Sequence, residues 1–94
     1  MVKFETDGKD LYIDGKKVLR AWESFNGWYW FAVEKAGEQE SLIGGRRKKD
    51  TIWFGYVQGF EDEWGYFSQA EIESMKPKIW EIRKSDLPYA GRRR

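Results

Sequence analysis

Residues 54–73 read FGYVQGFEDEWGYFSQAEIE. An aromatic-glycine-tyrosine phrase occurs twice, as Phe54-Gly55-Tyr56-Val57 and Trp64-Gly65-Tyr66-Phe67. Turn-forming residues lie between the two copies, so they are predicted to be antiparallel arms of one hairpin. A turn over Gly59 to Asp62 sets Phe54 against Phe67, Gly55 against Tyr66, Tyr56 against Gly65 and Val57 against Trp64. Each tyrosine ring then covers the bare backbone of a facing glycine. A slip of one residue would break that pairing and exchange the two faces.

The second arm runs into a helix. In Ser68-Gln69-Ala70-Glu71, the Ser68 hydroxyl can accept from the Glu71 N–H while the Glu71 carboxylate reaches back to the Ser68 N–H, a capping box. Phe67 and Ile72 are spaced for a hydrophobic staple. Pro77 disfavours helical geometry at Lys76, so the helix is predicted over about 69–76, with Ile72, Met75 and Ile79 as its apolar stripe. Ile79 to Arg83 then reads as a short strand.

Upstream, Asp14-Gly15 between Leu11–Ile13 and Lys17–Trp22 marks a two-residue hairpin, and Val2 to Glu5 forms a strand before the Asp7-Gly8 turn. Trp28 to Lys35, WYWFAVEK, and Thr51 to Gln58, TIWFGYVQ, are strands whose apolar residues run consecutively. Both faces of each should therefore be covered or functional. Ala36 to Asp50 holds Gly37, Gly44-Gly45 and four consecutive bases. Ser41 to Ile43 can extend a strand, whereas the Gly-rich basic part reads as a mobile loop. The expected fold is α+β: a curved antiparallel meander or open barrel of five to seven short strands with one helix after the sixth.

The segment Trp53 to Ser74 resembles DUF2958, a bacterial and plasmid-associated family. The matching positions are Phe54, Gly55, Gly59, Phe60, Glu61, Glu63, Gly65, Tyr66, Phe67, Ser68 and Glu71, and WYWFAVEK matches more loosely. The Asp-Gly hairpin and the insertion at Arg46 to Lys49 depart from the family pattern. The resemblance implies one shared structural unit and carries no chemistry with it.

Ninety-four residues suit one small domain, taken as 1–91, followed by a disordered basic tail at 92–94. Six Trp, five Tyr and six Phe are more rings than a single thin core needs, so some should lie at a surface. Cys and His are absent, which removes disulfides, thiolate metal sites and Cys or His catalysis. No apolar run approaches the roughly 20 residues of a membrane span, and the N-terminus has no signal-peptide core. A cytoplasmic protein, with no cofactor or metal and no membrane partner, is expected. High charge with scarce Asn and Gln also fits a thermophile.

Net charge +1 hides segregation: residues 50–75 carry six acids and no base, between Arg46-Arg47-Lys48-Lys49 and a basic end. The four bases could contact phosphate while Trp28, Trp30 or Trp53 stack bases. The simpler reading is a solvated hairpin tip that resists edge aggregation. Glu61-Asp62-Glu63 is an ordinary acidic turn before it is a catalytic or metal site, and Tyr56 and Tyr66 are packing residues. If Phe54 and Phe67 lie under the helix, Trp53, Trp64 and Tyr66 fall on the other face, which the N-terminal hairpin or a partner must cover. The N-terminal hairpin is the expected cover.

The expected function is that of a small non-catalytic binding module, not an enzyme. An exposed aromatic face would bind a protein partner or a second copy. The alternative is single-stranded nucleic-acid binding. The candidate residues are Trp28, Trp30, Trp53 and Trp64, with Arg46, Arg47, Lys48 and Lys49.

Overall fold

Asp14 and Gly15 both take positive φ, 51° and 78°, as a two-residue turn between antiparallel strands requires. In the computed structural model, which describes residues 2–91, this turn joins β2 (Leu11–Ile13) to β3 (Lys16–Lys17). Strand β1 (Phe4–Thr6) pairs with the other side of β2 and completes a three-stranded sheet. The tail expected at 92–94 lies outside the described residues.

The arm predicted over Lys17–Trp22 does not stay in that sheet. The chain leaves at Val18-Leu19 and forms β4 (Arg20–Ser24) in a second, five-stranded antiparallel sheet. There β4 joins β5 (Tyr29–Ile43), β6 (Arg46–Gln58), β7 (Asp62–Ser68) and β8 (Ile79–Glu81), in the order β7-β6-β5-β4-β8. Helix α1 (Gln69–Glu73) follows β7, and a 3₁₀ turn spans Leu87–Tyr89. The fold is α+β and open, with eight strands rather than five to seven among the described residues.

Each face of the large sheet has its own cover. On one side β1 to β3 and the 3₁₀ turn enclose Leu11, Ile13, Val18, Ala21, Phe31, Tyr56 and Leu87. Phe4 sits edge-on to Phe31 and Tyr56, at 5.6 and 6.1 Å. The N-terminal sheet thus closes over the face away from the helix, but of the three rings expected beneath it only Trp64 packs there: Trp53 lies on the other face and Tyr66 stays exposed. On the other side α1 covers Trp22, Ala32, Trp53 and Ile79 of the sheet with its own Ile72, and Phe67 lies against them. Burying a ring such as Phe31 or Trp22 contributes about 2–3 kcal/mol. Arg20 ties the second layer together: its guanidinium meets both Glu81 oxygens (2.8 and 2.6 Å), donates to Gln69 and lies 5.2 Å from the Trp22 ring centre.

Two expectations fail for one reason each. The β6–β7 register is one residue off the predicted one, with Phe54 opposite Tyr66, Gly55 opposite Gly65, Tyr56 opposite Trp64 and Val57 opposite Glu63. The loop encloses three residues, Gly59 to Glu61, and the Gly59 N–H donates to the Glu61 carbonyl at 3.2 Å. No tyrosine therefore faces a glycine, and Phe54 and Phe67 lie on opposite faces. The second failure is the mobile loop expected over the Gly-rich basic part, Gly44 to Lys49, whereas the strand extension through Ser41 to Ile43 is present. Gly44 and Gly45 take φ of 59° and 80°, a geometry that joins β5 and β6 directly into a long two-stranded arm.

Strand β5 carries two β-bulges, between Ala32 and Glu34 and between Lys35 and Gly37. Its apolar residues do not alternate with polar ones because both faces are covered: Tyr29, Phe31 and Val33 pack against the first core, Trp30 and Ala32 against the second. Helix α1 ends three residues earlier than predicted. After Glu73 the Met75 and Lys76 amides bond three residues back, to Ile72 and Glu73, and the helix tightens into turns before Pro77. Met75 consequently faces outward, while Ile72 and Ile79 are buried.

Candidate binding surfaces

Apart from Trp80 and Tyr89, the exposed rings and the part-exposed rings packed beside them fall into two separate groups among the described residues. The first begins at the turn between β4 and β5. The Ser24 hydroxyl bonds to Asn26 and accepts from the Trp28 N–H at 3.1 Å, which sets the direction in which Trp28 leaves the sheet. The Trp28 ring then lies over Gly59, so closely that a Cβ there would stand 2.7–2.9 Å from it. Phe60 meets Trp28 edge-on at 5.0 Å, and Trp30 packs beside it at 5.9 Å. Shallow clefts of about 260 and 240 Å³ flank Trp28, one bounded by Val57, Phe60 and Glu63, the other by Phe25, Trp30 and Met75.

The second group lies on the opposite face. Phe54 stacks on Trp64 at 5.7 Å and meets Tyr66 edge-on at 5.2 Å. The Lys16 ammonium stands 5.7 Å from the Trp64 ring centre, a cation–π geometry. Tyr66 is 70% exposed.

Trp53 belongs to neither group and is corrected as a candidate. It is 8% exposed, because the observed register places it beside Phe67 beneath α1. Its indole N–H donates to the Gln69 side-chain oxygen at 2.9 Å, so even its polar edge is occupied.

The basic residues do not form one patch either. Successive strand residues point to opposite sides, so Arg46 and Lys48 share the side of Asp50, and Arg47 and Lys49 share that of Glu38 and Glu40. Arg47 pairs with Glu40 at 3.4 Å. Strand β6 runs 13 residues from Arg46 to Gln58, beside Trp28, or roughly 40 Å at about 3.3 Å per residue. The arm's bases and the Trp28 group therefore sit at opposite ends of one hairpin.

At the base of the arm stands Asp50, 4% exposed. One carboxylate oxygen accepts from the Ser41 hydroxyl at 2.7 Å and from Ser68; the other accepts from the Ala70 N–H at 2.8 Å. Ser68 in turn accepts from the Glu71 N–H at 3.1 Å. Half the capping box is thus formed, and Asp50 supplies the second acceptor at the helix start in place of Glu71. Burial pushes the Asp50 carboxyl up, but the Ser68 and Ser41 hydroxyls and the Ala70 and Thr51 amides outweigh it and hold the group below its ordinary value. Beside it, a polar cleft of about 300 Å³ is lined by Lys48, Lys49, Gln69, Glu73 and Lys76.

Sequence reading selected Trp28, Trp30 and Trp64, and missed Phe60, Tyr66 and Phe25. Phe60 carried a signal, since an apolar ring between Gly59 and Glu61 in a turn has no core to enter. Among the described residues no group of three Asp or Glu side chains is placed to hold a metal ion, and no helix is long and apolar enough to cross a membrane. No protein family, curated protein or solved structure matches the chain.

Proposed function

We propose that the chain is a non-catalytic binding module of the cytoplasm that docks a protein partner on Trp28, Trp30 and Phe60. One observation carries the reading: Phe60 is 95% exposed although a tight turn and the edge of Trp28 hold it in place. A fixed, uncovered ring beside a tryptophan with a cleft on each side is the anchor-and-pocket pattern of binding hot spots. The acidic Glu61 and Glu63 and the basic Lys78 border these clefts and would supply a polar rim.

The single-strand nucleic-acid reading draws on one observation, the Lys16 ammonium over Trp64. The separation of the Trp28 group from Arg46 to Lys49 counts against a joint site. An oligonucleotide titration separates the readings. Tryptophan emission is expected to stay unchanged at ~50 mM salt, where phosphate contacts are strongest. Salt-reversible quenching would transfer the function to nucleic acid.

Trp28→Ala and Phe60→Ala should each weaken capture of the protein partner at least tenfold, the cost of about 1.4 kcal/mol at an anchor. Phe60→Ala should meanwhile leave thermal stability within about 0.5 kcal/mol, because the ring is exposed. A partner retained equally by both variants would rule the platform out.

A further inference from the structure

We infer that β7 is a pairing edge for a second copy of this chain, joined antiparallel about Gly65 into one continuous ten-stranded sheet. The inference uses a different edge from the Trp28 platform and stands whether or not that platform binds a protein.

The sheet edges differ in how they are guarded. Strand β8 is three residues long, β1 and β3 are three and two, and both strands of the arm carry charged side chains, Glu38 and Glu40 on β5 and Arg46 to Asp50 on β6. Such short or charged edges resist pairing. Strand β7 is seven residues long and holds neither Lys nor Pro. Among the described residues no strand pairs with its outer side. Helix α1 turns back over β6, β5 and β8, and so leaves that side open.

Charge selects the occupant and its direction. The start of β7 carries Glu61, Asp62 and Glu63, whereas its end at Ser68 adjoins a cleft where Lys48, Lys49 and Lys76 outnumber Asp50 and Glu73. A second β7 laid antiparallel brings each acidic start to a basic end; a parallel one would set acid against acid. The two-fold pairing puts Gly65 opposite Gly65, and Trp64 opposite Tyr66 twice. Residues 62, 64, 66 and 68 share one face, so the Phe54–Trp64–Tyr66 group of each copy becomes half of one aromatic stripe. The acidic turn of the second copy then lies two strand spacings from β6, about 10 Å, within reach of lysine side chains.

The test is sedimentation of the wild-type chain from ~1 µM to ~1 mM, the range in which weak interfaces dissociate. A reversible dimer that weakens with salt is expected. A Cβ at Gly65 meets nothing within 4 Å, so Gly65→Lys fits the monomer while placing like charges opposite each other at the axis. It should raise the dissociation constant at least about tenfold, with its melting temperature measured alongside as a folding control. As a second route, a Glu61→Lys, Glu63→Lys variant and a Lys48→Glu, Lys49→Glu variant should each dimerise poorly alone and recover when mixed. A dimer that survives Gly65→Lys but is lost on Trp28→Ala lies at the platform and overturns the edge pairing. A chain that is monomeric throughout overturns it too, and leaves the edge to a strand of a different protein.

Discussion

Gly55→Ala is expected to cost at least about 3–5 kcal/mol, the range of severe overpacking and backbone strain. A Cβ at Gly55 would stand 1.8 Å from the Phe31 carbonyl oxygen, 2.8 Å from its carbonyl carbon and 3.1 Å from the Ala32 Cα. These are backbone atoms of the neighbouring strand, brought close where β5 bulges after Ala32. No side chain can rotate away, so the strands themselves must part. Replacing a strand glycine ordinarily gains about 0.5–1 kcal/mol through backbone entropy, which is too little to offset the collision. At about 4–8 °C per kcal/mol for a domain of this size, the melting temperature should drop by roughly 15–40 °C. Gly65→Ala, directly across the ladder, should stay within about 1 kcal/mol of wild type. Equal melting temperatures for the two variants would show that Gly55 does not carry this contact.

Asp50→Ala is the second large effect. It strips an acceptor from the Ser41 and Ser68 hydroxyls and the Ala70 amide at once. Hydrogen bonds to a charged group contribute about 1.5–3 kcal/mol and are not additive, so a total near 2–4 kcal/mol is expected. Hydrogen exchange should locate the loss at the start of α1 and the base of the arm. Asp50→Asn keeps an acceptor oxygen and should fall between the two. The pH dependence has a definite sign. The folded carboxyl titrates below its ordinary 3.8, so its contribution is complete above about pH 5 and disappears as pH falls through the folded pKa. Denaturation midpoints should be flat from pH 5 upward and decline below about pH 4, with a shallower decline in Asp50→Asn. A wild-type profile with the same acid slope as Asp50→Asn would remove Asp50 from this role.

These two residues also mark where the sequence could be read and where it could not. The Asp14-Gly15 turn, the Ser68 cap, the strands at Trp28 and Thr51 and the helix after Phe67 all depend on local chemistry, and all are legible. The doubled phrase was legible as a hairpin but not as a register. Its glycines suggested cover by tyrosine rings. Gly55 instead answers to a carbonyl 24 positions earlier, and Gly65 has open space beside it. A bulge leaves no local signature when the residues around it, Tyr29 to Val33, are all apolar. Asp50 carries no local signal of its role, because its partners Ser41 and Ser68 come from separate elements. The surface was read in part: tryptophans were counted as outward rings, yet Trp53 is interior and the far smaller signal at Phe60 marks the most exposed ring.

The paired bulges of β5 set a rule for how this molecule can change length. Each inserts one residue on β5 alone, at Val33 and at Ala36, while the pairs on either side of it stay consecutive along β6. Deleting either extra residue would close its bulge and leave Ser41 opposite Lys48, whereas deleting a paired residue such as Glu40 would carry Ser41 to the other side and detach it from Asp50. Removing Leu42 together with its partner Arg47 would leave every pairing below them intact. Natural variation in the arm should therefore come as matched pairs beyond Ser41 and Lys48 or as loss of a bulge residue, with single-residue gaps excluded at the paired positions between them.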